Sequence, residues 1–136
     1  MLDTNIFVYS VQDRDSLSKD VLSILEDYDN TFYLSSESVK ELIVAYRNKN
    51  LLTNYWNSAS EMVNAITDEF YITVLPVDNE VMKTYSVLKI NERENHHDPS
   101  DHVIISHAMT LRLPLISSDR KFEFYVKQGL DLISNF

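Results

Sequence analysis

Four acidic side chains stand where carboxylates could do chemistry, although they are far apart in the chain: Asp3, Glu41, Asp101 and Asp119. Asp3 directly follows the first apolar residues, and Asp119 follows an apolar run that includes Ile116. Carboxylate oxygens suit hard divalent ions, Mg²⁺ first and Mn²⁺ as an alternative. Such ions orient a water, lower its pKa and stabilise charge on a phosphodiester. The acids therefore predict metal-dependent phosphodiester hydrolysis if the fold brings them together.

Two of the acids near the middle of the chain have structural roles as alternatives. Asp98 precedes Pro99, which makes it a strong helix N-cap candidate. Asp101 lies three and four residues before Ile104 and Ile105, so a helix would put its carboxylate at the start of a buried stripe. It could instead be the third-residue acid of a capping box.

The other acids also have purely structural explanations. Asp3 and Asp119 could be turn or N-cap aspartates. The spacing of Ser38 and Glu41 fits a capping box, although Glu41 points away from the main apolar stripe of its predicted helix. Only the combination of all four acids favours a common site.

The elements that must position these acids alternate between strands and helices. Residues 15–28, 37–47, 55–65, 78–92 and 98–111 have helical spacing of apolar residues, and a short helix is expected after residue 119. Strands are predicted at the very start of the chain and at residues 31–34, 70–75, 113–116 and 131–134. Alternating elements indicate an α/β fold with a parallel sheet covered by helices. Ligands of such sheets bind beyond the carboxyl ends of the strands.

Composition limits the class of protein further. The chain of 136 residues has 12 basic and 21 acidic residues, a net charge of −9, one glycine and no cysteine. A thiolate metal site, a disulfide framework and a glycine-rich phosphate loop are excluded. No leader or membrane span is recognised, so a soluble cytoplasmic domain over residues 1–136 is expected. The acidity argues against a broad electrostatic grip on nucleic acid.

Four segments resemble motifs of the PIN-domain family, and in particular of VapC-type toxins from bacterial toxin–antitoxin pairs. Leu2-Asp-Thr-Asn-Ile6 resembles the opening motif, and Ser35–Leu42 resembles the second, with its acid at Glu41. Asp98–Ala108 resembles the third motif, with its metal-site acid at Asp101, and Leu113–Phe122 resembles the closing one. The match runs through essentially the whole chain in order.

The resemblance implies a three-layer α/β/α sandwich around a five-stranded parallel sheet. It implies an endoribonuclease in which one or two Mg²⁺ ions are held by the four acids of the opening paragraph. By the same resemblance Asn5, Asp98 and Ser118 would support the site. A homodimer and a small antitoxin protein crossing the active-site groove are the implied partners.

Some positions depart from the family pattern. Only two residues precede Asp3, so either its strand is unusually short or the chain starts late within it. His102 replaces the basic residue that often follows the third acid, and could contact phosphate in part if protonated. Ser117 stands where threonine is frequent.

Substrate binding must overcome the negative net charge locally. The cations next to the predicted site are Lys40, Arg120 and Lys121, with Arg14, Arg47 and Lys49 as further candidates. Each could equally be a solvated surface side chain. Four aromatic side chains could stack on bases, although packing in the core or an interface is their more common role: Tyr9, Tyr46, Tyr55 and Trp56.

Three other functions remain open at this point. A nuclease of the same fold could process RNA without being a toxin. A non-catalytic binding module could keep the fold, although the intact acids argue against it. Phosphoaspartyl chemistry at Asp3 would resemble haloacid-dehalogenase phosphatases, but the second aspartate of that motif is replaced by Asn5.

Overall fold

The computed structural model describes residues 1–48 and 54–136. Its helices are α1 (Thr4–Gln12), α2 (Lys19–Glu26), α3 (Ser36–Arg47), α4 (Ala59–Asp68), α5 (Asn79–Val87) and α6 (Pro99–Leu111). Short 3₁₀ helices cover Arg14–Ser16, Glu92–Glu94 and Arg120–Gln128. The strands are β1 (Tyr33–Ser35), β2 (Thr73–Leu75), β3 (Leu115–Ser117) and β4 (Leu132–Ser134). Within these two ranges, no helix is long and apolar enough to cross a membrane.

The strands form two parallel pairs, and the start of the chain lies between them. β1 pairs with β2, and β3 pairs with β4. The backbone N–H of Leu2 donates to Tyr33 O over 2.9 Å, and the N–H of Asp3 donates to Ile116 O over 2.9 Å. Parallel strands between helices confirm the predicted α/β class. A continuous five-stranded sheet is not formed by the described residues and stays a prediction.

Helices begin directly at strand ends because short polar side chains cap them there. Asp3 caps α1 by accepting from the N–H of Thr4, and Ser35 caps α3 by accepting from the N–H of Glu37. Asp98 caps α6 and accepts from the N–H of Ser100, with Pro99 in the first turn. Each cap pairs an otherwise unsatisfied N–H. The predicted caps at Asp98 and Ser35 are therefore confirmed, whereas a capping box at Ser38 is wrong because that residue lies inside α3.

Several predicted boundaries are wrong, and one helix was missed. The β-branched and aromatic residues of α1 are typical of strands, so its sequence does not indicate the helix that Asp3 starts. α5 stops at Val87 and is followed by an irregular segment, although helical spacing had suggested continuation to residue 92. The predicted helix at residues 55–65 starts only at Ala59, because Ser58 caps it.

Apolar packing lies on both sides of the opening segment. Leu2 belongs to one buried cluster, which also holds Phe7, Leu42 and Ile66. Met1 belongs to a second buried cluster beneath α6 and the 3₁₀ helix Arg120–Gln128. Successive side chains of an extended segment point to opposite faces, which explains the division. The ends of β1, β3 and the opening segment are thereby fixed from both faces.

Leu42→Ala tests how strongly this packing fixes α3, the helix that contributes Glu41. Leu42 is fully buried, so the truncation leaves a cavity and should lower the free energy of unfolding by about 2–5 kcal/mol. Urea denaturation measures the change. Val44→Ala, on the same helix but 50% exposed, is the control and should cost less than about 1 kcal/mol. Equal losses in both variants would contradict this assignment of the core.

Candidate active site

Asp3 is the most deeply placed of the four acids. Its side chain is 5% exposed. Oδ1 accepts from the backbone N–H of Thr4 over 2.8 Å, and Oδ2 accepts from the Ser117 hydroxyl over 2.8 Å. With both oxygens hydrogen bonded and little access from solvent, Asp3 is poorly placed to act as a nucleophile. The structure therefore disfavours phosphoaspartyl chemistry.

Glu41 reaches the same region from α3. Its Oε1 accepts from the Thr4 hydroxyl over 2.6 Å, although the two residues are 37 positions apart. Thr4 thus contacts two acids, Asp3 through its backbone N–H and Glu41 through its hydroxyl. Glu41 is half-buried beside a groove of about 340 Å³ whose lining includes Lys40 and Ser100.

Asp101 lies at the start of α6 and is half-buried. Its Oδ2 is 2.9 Å from Nε2 of His96, a buried ring in the preceding loop. The other ring nitrogen of His96 is 2.9 Å from the hydroxyl of Tyr125. Asp101 therefore has a buried histidine as its partner, in place of the capping-box contact that spacing allowed.

Asp119 completes the arrangement at the end of β3. It caps the 3₁₀ helix, and its Oδ1 accepts from the N–H of Lys121 over 2.9 Å. Its own N–H donates to the Ser117 hydroxyl over 3.1 Å, and that hydroxyl donates to Asp3. Ser117 therefore ties Asp3 to the turn that positions Asp119.

Two groups of ligand atoms meet at Asp101. Nitrogen and oxygen atoms of His96, Asp101 and Asp119 lie within 4.8 Å of one another. Oxygens of Glu41, Asp98 and Asp101 do the same. Among the described residues, Asp3 joins neither group of three. The oxygen-rich donor set fits a hard divalent ion such as Mg²⁺ or Mn²⁺.

Burial and mutual repulsion raise the pKa values of the acids. Burial raises the pKa of Asp3 to about 7, and the charges of Asp101 and Glu41 add to the rise. Burial also raises the pKa of Asp101 to about 8, with Asp98, Glu41 and Asp119 acting in the same direction. The pKa of Glu41 is raised by burial as well. A divalent cation would relieve this repulsion by stabilising the ionised carboxylates.

Three predicted auxiliary contacts are placed differently in the structure. Asn5 is exposed, and the neighbouring Thr4 contacts the acids. The Ser118 hydroxyl accepts from the Asn135 amide over 2.7 Å, and Ser117 is the serine that reaches a carboxylate. The suggested phosphate contact of His102 is wrong, because its ring is 4% exposed and its Nε2 lies 2.8 Å from a backbone carbonyl oxygen. Burial lowers the pKa of His102, which disfavours protonation.

The predicted cations differ in how close they come to the acids. Lys40 forms an ion pair with Glu37 and lies 3.2 Å from the Ser100 hydroxyl, so it links α3 to α6. The guanidinium of Arg120 lies 4.7 Å from the centre of the Phe136 ring. Lys121 is half-buried, and its charge opposes the rise in the pKa of Asp101. Lys49 lies outside the described residues.

The candidate aromatic side chains mostly pack within the protein. Trp56 is buried and makes ring contacts with Tyr55 and Phe70. The Tyr46 hydroxyl donates to the backbone of Trp56 over 2.6 Å, and Tyr9 packs against the core. Tyr55 is 55% exposed. Packing is therefore the observed role for three of the four.

Sequence reasoning missed the polar residues that hold the acids. Thr4, Ser117, His96 and Tyr125 all contact one of them directly or through one partner. Thr4 and Ser117 adjoin predicted motif residues, so their position was a usable signal. His96 lies in the loop before α6, and nothing in its spacing indicated burial beside Asp101.

Comparison with known proteins identifies the class of this fold and site. Residues 1–127 match the PIN domain, so the chain belongs to the PIN-domain family. A comparison with curated protein sequences finds no match.

Solved structures share the fold at low sequence identity. A chain of VapBC2 from Rickettsia felis, bound to a promoter DNA fragment, is 20% identical with a TM-score of 0.72, covering 98% of this chain and 96% of the other. A chain of VapBC-1 from nontypeable Haemophilus influenzae is 21% identical with a TM-score of 0.70 and the same coverage. A chain of a toxin–antitoxin complex from Klebsiella pneumoniae is 15% identical with a TM-score of 0.64, and the match covers 99% of this chain and 96% of the other.

The raised pKa of Asp101 predicts a pH-dependent effect of Asp101→Asn on the metal-free protein. In the folded state the carboxyl group keeps its proton up to about pH 8, whereas in the unfolded chain it ionises near its ordinary pKa of about 4. Raising the pH from 4 to 8 therefore stabilises the unfolded state relative to the folded wild type. The variant has no ionisable group at this position, so its stability does not fall for this reason. Urea denaturation in EDTA should show the stability of the variant, relative to wild type, rising from pH 5 to pH 8.5 by on the order of 4 kcal/mol.

Asp131→Asn is the control for this measurement. Asp131 is exposed, so water solvates its carboxylate in the folded and unfolded states alike. The stability of the Asp131→Asn variant relative to wild type should change little over the same pH range. A constant difference between Asp101→Asn and wild type at both pH values would refute the proposed destabilisation.

Proposed function

We propose that this protein is a metal-dependent endoribonuclease that hydrolyses RNA phosphodiester bonds, with residues 1–136 as one nuclease domain. The observation that supports it most is the position of Asp101, which belongs to both groups of ligand atoms. Membership of the PIN-domain family supports nuclease chemistry at that site. The family sheet of five strands, with residues 1–3 in its centre, is part of the same proposal.

The ligands in this proposal are Asp3, Glu41, Asp101 and Asp119, with Mg²⁺ as the ion and Mn²⁺ as a substitute. When bound, the ion supplies an acidified water and neutralises charge on the phosphodiester. Thr4 and Ser117 hold Glu41 and Asp3 by hydrogen bonds of 2.6 and 2.8 Å, so the carboxylates are oriented in advance. Asp98 contributes as a neighbour of Asp101 and as the cap of α6.

Substrate selection rests on local contacts in this proposal. The net charge of −9 opposes binding of nucleic acid by general attraction, so recognition depends on RNA shape or a few bases. Lys121 is half-buried, its charge acts on Asp101, and it is proposed to contact phosphate. Lys40 and Arg120 are secondary candidates, because each already has a partner in the protein.

The toxin of a two-protein module is the proposed biological role, in the cytoplasm. The solved structures with the same fold are VapBC proteins and a toxin–antitoxin complex. An acidic surface would attract basic side chains of an antitoxin. A homodimer is proposed to form through helices at residues 37–65.

Cleavage of a mixed RNA pool by the purified protein tests the enzymatic proposal. With millimolar Mg²⁺ we expect cuts at a limited set of sites that leave 5′-phosphate and 3′-hydroxyl ends, and none in EDTA. Asp101→Asn should lower the rate by at least about 100-fold, because it removes an oxygen ligand common to both groups. End mapping by sequencing is the measurement.

The variant Asp131→Asn serves as the control, because that exposed carboxylate lies outside both ligand groups. It should cleave at the wild-type rate. Full cleavage in EDTA, or full activity of a folded Asp101→Asn protein, would refute the metal-dependent site. RNA binding without any cleavage would instead indicate a non-catalytic module.

Expression in a bacterial host tests the toxin role separately. Induction of the wild type should arrest growth, whereas induction of Asp101→Asn to the same level should not, because arrest requires cleavage. Growth curves and immunoblots provide the measurement. An active enzyme that leaves growth unchanged would favour an RNA-processing nuclease.

A further inference from the structure

His96 is a buried histidine with polar contacts on both sides of its ring. The residue is 2% exposed, although it lies in the irregular loop before α6. Nε2 faces Oδ2 of Asp101, and Nδ1 faces the hydroxyl of Tyr125, each at 2.9 Å. A chain of contacts therefore leads from the fully buried Tyr125 to a proposed metal ligand.

The hydrogen-bond partners of Tyr125 indicate which atom is the donor at each of these contacts. The Tyr125 oxygen accepts from the backbone N–H of Asn91 over 3.1 Å. If Nδ1 of His96 also donated to Tyr125, the buried hydroxyl proton would have no acceptor among residues 1–48 and 54–136, which is costly. If Tyr125 donates to Nδ1, the single proton of the neutral ring lies on Nε2 and points at Asp101. With the Asp101 carboxylate ionised by a bound metal ion, every one of these groups then has a partner.

The ring of His96 is also fixed by packing. Phe122 and His102 lie 5.5 and 4.9 Å from it between ring centres. His102 is itself held by the backbone carbonyl of His96 at 2.8 Å. The ring therefore presents Nε2 to Asp101 in one orientation.

We propose that His96 is a positioning residue that donates its Nε2–H to Asp101, and that Tyr125 selects the required tautomer. A His96 ring with its proton on Nε2 is not itself a metal ligand, so the ligands of the first group are then Asp101 and Asp119. Asp101 is still shared with the group that holds Glu41 and Asp98, so the orientation of this carboxylate affects the whole site. Partners behind metal ligands commonly change metal affinity by about 10–100-fold. The inference rests on the proposed function only in taking Asp101 as a metal ligand.

Metal affinity, measured without RNA, tests the inference. Mn²⁺ binding is followed by electron paramagnetic resonance of the free ion, and by the rise in Tm with metal concentration. His96→Leu should weaken binding by about 10–100-fold. His96→Gln, whose amide can still donate to Asp101, should stay within about threefold of wild type. Tyr125→Phe should weaken binding less than His96→Leu does, since it removes only the tautomer selection.

His107→Leu is the matched control. His107 is 1% exposed and lies on α6, but its Nδ1 contacts the Ser35 hydroxyl at 2.8 Å. The variant should lose thermal stability and keep wild-type Mn²⁺ affinity. This separates a general loss of packing from a specific effect on Asp101.

The metal affinities of the two His96 variants decide between support for the proposal and its rejection. Wild-type affinity in a folded His96→Leu protein would overturn the proposal. So would a His96→Gln protein that binds metal as weakly as the leucine variant, and this second test remains if His96→Leu does not fold. A protein that binds Mn²⁺ as expected but cuts no RNA would refute only the nuclease proposal.

Nitrogen NMR provides a readout that a purely structural role would not produce. In the Mg²⁺-saturated wild type, long-range ¹H–¹⁵N spectra should show His96 neutral with its proton on Nε2. In Tyr125→Phe the two tautomers should be mixed. A wild-type ring with its proton on Nδ1 would overturn the assigned direction of the hydrogen bonds.

Discussion

Close packing of carboxylates at the strand ends is the constraint on which the rest of this structure depends. Ionised acids repel one another and are costly to remove from water. Here this cost is offset mainly by hydrogen bonds from neutral side chains. Thr4 and Ser117 donate to acids, and His96 contacts a third. Because these donors come from α1, β3 and the loop before α6, the cluster depends on elements that are remote in sequence.

The capping roles of the acids are compatible with the chemical roles proposed for them. Asp3 caps α1, Asp98 caps α6, and Asp119 caps the 3₁₀ helix Arg120–Gln128. In each case one side-chain oxygen accepts a hydrogen bond from a backbone N–H at the start of the helix. A parallel α/β fold ends its strands where its helices start, so one aspartate can serve both purposes. A capping role at these positions therefore does not exclude the proposed role in the site.

The sequence was informative about the acids and weak about what surrounds them. Motif order and strand ends indicated Asp3, Glu41 and Asp101, because apolar runs and caps are local signals. The burial of His96 depends on α6, Phe122 and Tyr125 meeting in space, which no local pattern encodes. α1 was missed for the opposite reason: its residues favour strands, and tertiary packing with the Asp3 cap overrides that preference.

The common position of Asp101 in two ligand groups has a genetic consequence. A chain with two independent ion positions could lose one through mutation and retain partial function. Here Glu41 and Asp119 belong to different groups, but both groups include Asp101. Under the proposed function, substitutions at Glu41 or Asp119 should therefore reduce activity in part, whereas substitutions at Asp101 should abolish it. In double variants that include Asp101, the effects of the two substitutions should not add. Under the proposed function, selection on this chain would accordingly tolerate substitutions at Glu41 and Asp119 far sooner than at Asp101.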